Sequence, residues 1–201
     1  MRALLKARIA AFARDTRGAA LVEMLFALIL LNFVLIAFYI WWDAYRQQAR
    51  VERTTYTISD LVSRERGSTL QRPFLDGLER VAEYLLREEQ NAAIRFTQVT
   101  RTSGTPANGT TGLTVNWSYS PCNRYPPSRT DPSFDLNEFP IMALGSTMIM
   151  VEMRVPYDPE SLLETFVGLN PQTFRRAVIA MPRFENQPFT LQGTGTSTCI
   201  D

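Results

Sequence analysis

The chain has 201 residues, 21 of them basic and 20 acidic, and a formal net charge of +1, so no general attraction to nucleic acid follows. It contains no histidine. That excludes a Ser-His-Asp triad, a Cys-His pair, an H-E-x-x-H zinc site and most transition-metal sites. No pair of acids stands in a cleft-like context, and the expectation is a non-enzymatic protein with no cofactor and no metal.

Charge placement says more than the total. Arg2, Lys6, Arg8, Arg14 and Arg17 face only Asp15 in residues 1–18, and Lys6 is the one lysine of the chain. Ala19 to Trp42 follows as an apolar run of 24 residues in which Glu23 and Asn32 are the conspicuous polar members. At about 1.5 Å per residue this run is long enough for a bilayer core of about 30 Å. Tyr39, Trp41 and Trp42 lie at its far end, where amphipathic rings suit a membrane–water interface. The basic near end predicts a cytoplasmic N-terminus, with everything after Trp42 on the other side. A cleaved secretory signal fits poorly, because its apolar core is shorter and ends in small residues.

From Asp43 to Arg66 the chain has no glycine or proline, which predicts that the membrane helix continues as a stalk. Ala44, Val51 and Ile58 recur every seven residues, followed four later by Gln48, Thr55 and Val62. A second helix is expected from Phe74 to Gln90, with Phe74, Leu78, Val81 and Leu85 at helical spacing, joined by Leu75, Ala82 and Leu86. Leu113, Val115, Trp117 and Tyr119 alternate with polar residues as in a half-buried strand. Ala92–Thr100 is its expected neighbour. Ile149, Val151, Met153, Val155 and Tyr157 alternate again, and Phe174–Met181 is a fourth strand ended by Pro182. A proline-rich loop fills Pro121 to Gly145, and a short helix is expected within Pro159–Leu169. The order of elements is that of an α+β fold: a long N-terminal transmembrane and stalk helix, a second helix, and a mostly antiparallel sheet of about four strands. The expected organisation is a leader over 1–18, a transmembrane helix over 19–42, a stalk over 43–66 and an α+β domain over 67–201.

The stretch Arg17-Gly18-Ala19-Ala20-Leu21-Val22-Glu23 sits at the membrane entry. An ionisable group one turn into an apolar helix costs a few kcal/mol and marks Glu23 as functional. A small residue before a cut, with glutamate five residues into the product, resembles the type III signal of prepilins. The longer run from Phe12 to Met24 resembles the opening of the TadE/TadF-like pseudopilins of tight-adherence (Flp-type) pili. Val155-Pro156-Tyr157 and Ala180-Met181-Pro182-Arg183 are similar to that family in shorter stretches. Ala19 stands where type IV pilins commonly place phenylalanine. The resemblance implies cleavage between Gly18 and Ala19 by a prepilin peptidase. It also implies pairing of Glu23 with the new α-amine of a neighbouring subunit. The implied role is a minor pseudopilin in the bacterial inner membrane, its domain periplasmic. Its partners would be other pilin-like subunits and the pilus assembly platform. The rival is an unprocessed, signal-anchored binding or sensor domain.

Cys122 and Cys199 lie beyond the membrane run, in a compartment that permits disulfides, and are expected to pair. Asp131, Asp135, Asn137 and Glu138 offer oxygens, but not at EF-hand spacing, and read as a solvated acidic loop. Arg175-Arg176 reads as an exposed pair beside a strand.

Overall fold

The computed structural model describes Phe12 and residues 17–86, 92–104, 112–157, 168–184 and 188–194. The expected short helix within Pro159–Leu169 falls almost wholly outside them. The chain forms two compact units, 1–44 with 161–169, and 45–160 with 170–201. One helix, α1 (Arg17–Ser63), contributes to both. The expected α+β fold is found: a long apolar N-terminal helix, a second helix and a four-stranded antiparallel sheet.

In the first unit, α1 from Gly18 onward carries large apolar side chains almost wholly exposed, among them Leu21, Phe26, Leu30, Phe38 and Trp42. It is the one described helix long and apolar enough to cross a membrane by length and composition. Asn32 lies inside this run and donates its side-chain amide to the Leu28 carbonyl at 2.9 Å. The helix thereby satisfies a polar group internally, which a hydrocarbon environment demands.

In the second unit, α1 ends at Ser63, three residues before the stalk's expected end at Arg66. Gly67 follows with a φ of 96°. Next come β1 (Thr69–Gln71) and α2 (Arg72–Leu86), whose second residue, Pro73, needs no amide partner there. The sheet comprises β2 (Ala93–Arg101), β3 (Leu113–Tyr119), β4 (Thr147–Tyr157) and β5 (Gln172–Ala180), in the order β3-β2-β4-β5. Short 3-10 turns at Pro121–Asn123 and Leu136–Glu138 punctuate the loop between β3 and β4.

One face of the sheet packs against helices. Val51, Ile58 and Val62 of α1 join Leu75, Leu78, Ala82 and Leu86 of α2 over Ile94, Phe96, Ile149, Val151, Met153 and Val155. Of the seven-residue stripe, Val51, Thr55, Ile58 and Val62 are buried, whereas Gln48 is exposed. The face of α2 is turned from the expected one: Val81 and Leu85 are each 40% exposed, while Asp76 and Glu79 are buried.

The other face is covered by the proline-rich loop. Phe139 and Met142 pack on Val99 and Met150, with Leu113, Val115, Phe134 and Leu136 around them. Hence β4 is buried on both sides, and Glu152, which alternation would send to solvent, is fully buried.

The β3 strand departs from simple alternation. Gln98 pairs with Trp117 but Val99 pairs with Val115, so Asn116 is an extra residue in the ladder. The bulge sends Trp117 and Tyr119 to the helical face and Leu113 and Val115 to the loop face. Asn116 donates to Thr100 Oγ1 at 2.7 Å. Gly112, with a φ of 81°, turns the chain into β3, and a Cβ there would lie 1.9 Å from the Ser103 carbonyl oxygen.

A further strand, β6 (Thr190–Gln192), pairs in parallel with β1. The buried Gln98 amide fixes its approach. It accepts from the Phe189 amide at 3.0 Å and donates to the Phe189 carbonyl at 3.3 Å, while Trp117 Nε1 donates to the same carbonyl at 2.9 Å.

Ile58 is fully buried at the junction of α1 with the sheet. Ile58→Ala should cost about 2–5 kcal/mol, the range for emptying such a site. Urea unfolding of the detergent-solubilised chain measures it, and a loss under about 1 kcal/mol would show that α1 is not seated in this core.

Candidate functional site

Gly18, Ala19 and Glu23 lie in the first two turns of α1, and all three are exposed. An added Cβ at Gly18 would meet nothing within 4 Å. Glycine costs roughly 1 kcal/mol against alanine inside a helix, so Gly18 weakens the helix locally at the Gly18–Ala19 bond. Glu23 follows Ala19 by four residues and so occupies the same helix face one turn along.

Cys122 is not a free thiol. It occupies the 3-10 turn after β3 with a φ of 52°, and Asn123 follows at 53°. Two successive non-glycine residues in the left-handed region are strained. Cys199, the other half of the expected pair, lies outside the described residues.

Among the described residues, the densest array of charge lies on the loop face of the sheet, where residue spacing does not foretell it. Arg95 of β2 and Glu152 of β4 are register partners and both fully buried. Arg95 Nε donates to Glu152 Oε2 at 2.6 Å, and Arg95 Nη1 donates to Asp131 Oδ2 at 2.8 Å and to the Pro126 carbonyl at 2.7 Å. Glu152 Oε1 accepts from Arg175 Nη2 at 2.8 Å, and Arg175 grips both oxygens of Glu138. Arg154 Nη2 reaches Asp131 Oδ2 at 3.2 Å. The guanidinium carbons of Arg95 and Arg154 lie 4.2 and 4.0 Å from the centre of the Tyr125 ring.

One expectation is corrected here. Asp131 is buried among arginines rather than solvated, whereas Glu138 is exposed, as expected, and meets Arg175 at the surface. Asp135 accepts from the Asn137 amide and so caps its own turn. Among the described residues, no group of three or more His, Cys, Asp or Glu side chains stands where it could hold a metal ion. Arg175 and Arg176 are both exposed, as expected, and lie within β5, where adjacent strand residues point to opposite faces. Arg175 joins Glu152, and Arg176 reaches Glu52 of α1 at 2.6 Å.

Burial raises the Tyr125 hydroxyl above its ordinary range, with Glu152 adding to the effect. Burial alone would raise Asp131 too. The Ser133 hydroxyl and amide, followed by Arg95, outweigh it and hold that carboxyl below its usual value. Asp131 therefore contributes stability above its unfolded pKa, and loses that contribution as pH falls through the lower folded value. Each carboxylate of the array is an acceptor for an arginine, which suits holding a loop rather than moving a proton.

A second cluster lies between α2 and the turn at Cys122. Tyr119 donates to Asp76 Oδ1 at 2.6 Å, and Arg124 Nη1 reaches Glu83 Oε1 at 2.9 Å. Glu79 stands 4.0 Å from the same Arg124 nitrogen, and its Oε1 is buried without a hydrogen-bond partner.

The buried array predicts strong coupling. Glu152→Met alone, which takes from the buried Arg95 one of its two carboxylate partners, should cost about 3–5 kcal/mol. Arg95→Met/Glu152→Met together should cost less than the sum of the two single substitutions, by about 0.5–3 kcal/mol. Equilibrium unfolding of the four proteins measures this, and strict additivity would dissolve the array as a unit. Comparison with protein-family models, curated proteins and solved structures finds no match to this chain.

Proposed function

We propose that the chain is a minor pseudopilin-like subunit of a type IV-like, tight-adherence pilus, and not an enzyme. A prepilin peptidase removes residues 1–18, and the apolar part of α1 holds the product in the bacterial inner membrane. The N-terminus faces the cytoplasm and the α+β domain the periplasm. Subunits join one another and the assembly platform through Glu23 and the Ala19 amine, and a Cys122–Cys199 disulfide fastens the C-terminal tail.

The observation that carries this reading is the division of labour within α1. Its first half is apolar and exposed, and opens on Gly18, Ala19 and Glu23. Its second half supplies Val51, Ile58 and Val62 to the core of a folded domain. A signal peptide discarded after export has no need to be one helix with the domain's core. A subunit held in a membrane, or among like helices, does.

Ala19 and Glu23 lie about 6 Å apart along the helix axis. Each group can be satisfied within its own helix, but a stagger of that amount also brings the amine of one helix level with the carboxylate of the next, where leaving either unpaired is costly. Glu23 thus sets register.

Removal of 18 of the 201 residues leaves a product of 183 that begins Ala19-Ala20-Leu21-Val22-Glu23. Intact-mass measurement of the membrane-extracted protein should find it in cells with an active cognate peptidase, and Gly18→Val should accumulate the precursor. An intact Met1 in such cells would leave only the unprocessed signal-anchored domain.

Glu23→Ala should be cleaved and inserted normally, since the apolar face remains. Co-purification with other pilus subunits should fall at least tenfold, corresponding to about 1.4 kcal/mol. A processed, abundant Glu23→Ala protein that still supports piliation would defeat the pairing mechanism.

A further inference from the structure

We propose that Glu79, buried beside Arg124 of the Cys122 turn, is a pH-sensitive latch: protonated, it lets the turn close on α2, and its ionisation loosens the turn as pH rises towards neutrality. The geometry is that of an unfinished ion pair. Glu79 is about 95% buried, and its Oε1 has no hydrogen-bond partner. Arg124, the only cation offered by the turn, is committed to Glu83 at 2.9 Å and stands off Glu79 at 4.0 Å. The other groups facing Glu79 are Asp76 and Arg80 on its own helix, and Tyr119 on β3. Arg72 lies over the Tyr119 ring at 5.5 Å. Asp76 and Glu83 disfavour a charge on Glu79, and Arg80 offsets them only in part.

A protonated Glu79 fits this position, because a neutral carboxyl needs no counter-charge. An ionised one does not fit without water. Burial pushes the Glu79 carboxyl up to about 7, against the pull of Arg124. The unfolded or solvated carboxyl titrates near 4.5. Between those values the closed state binds the extra proton, so raising pH through this window favours opening. Above about 7 both states are ionised and the effect is complete. The strained turn is the part that gives. Cys122 and Asn123 hold left-handed backbone that relaxes once the turn moves off α2 and lets water reach the ionised Glu79.

The test is hydrogen exchange on the full-length, detergent-solubilised chain, read at the amides of Asn123, Arg124 and Tyr125. These donate to the Ser120 carbonyl, the Pro121 carbonyl and Ser120 Oγ. After correction for the intrinsic rate, the opening constant relative to Glu79→Gln should rise severalfold per pH unit from about 5 to 7 and then level off. Arg124→Met removes the pull that favours the charged form, so its plateau should come at higher pH. A wild-type ratio that stays flat between pH 5 and 8 would overturn the latch. If Glu79→Gln fails to fold, Arg124→Met decides alone against wild type. An upward displacement supports the proposal, and an unmoved plateau ends it.

Discussion

Arg95 and Glu152 sit opposite each other in the middle of the sheet, both beyond the reach of water. An isolated buried pair of this kind barely repays its desolvation. What makes it tolerable is that neither member has only one partner. Arg95 also binds Asp131 and the Pro126 carbonyl, and Glu152 also binds Arg175. Two of these additional groups, Asp131 and Pro126, come from the loop between β3 and β4. The loop therefore cannot lift away without exposing a charge to an apolar interior. The need to neutralise one ion pair thus fixes the path of a loop that has almost no regular structure, and buries the second face of the sheet with it.

The remaining architecture follows from that cover. With the loop on one face, helices are required on only the other, and α2 together with the last turns of α1 supply them. Arg176 and Arg183 then tie the far strand and its exit to α1 through Glu52 and Asp60. Those bridges are partly exposed and worth little singly. They orient α1 more than they stabilise it. The energy lies in Val51, Ile58 and Val62.

Periodicity made the helices and strands legible, because hydrophobic burial writes itself into the sequence every two or every 3.6 residues. It failed where one residue breaks the count. Leu113, Val115, Trp117 and Tyr119 share a parity, yet the bulge at Asn116 divides them between faces. Polar residues in strands were misread for a related reason. Alternation assumes that the face opposite the core is wet, and the loop makes it dry, so Glu152 looked solvent-facing and is not. The β1–β6 pair left no signal, since a three-residue strand has no period to detect. Nothing in the spacing of Gln98 foretold that its amide would substitute for a strand neighbour of Phe189. By contrast the proposed roles of Gly18, Ala19 and Glu23 rest on position. They are defined by where charge stops and an apolar run begins.

These two kinds of pattern lie in two different parts of the chain. The segment from Gly18 to about Trp42 is exposed and apolar, with its one amide, Asn32, turned back on its own helix. Its length and composition suffice to cross a membrane. From Tyr45 onward the chain answers to its own core, and the compact unit that holds the sheet begins there. The boundary between the two regimes falls inside a helix, where the intrahelical hydrogen bonds need nothing from either side. Among the described residues the core of the domain draws on α1 only from Val51 onward, so on the proposed reading a precursor and its cleaved product would share one folded domain.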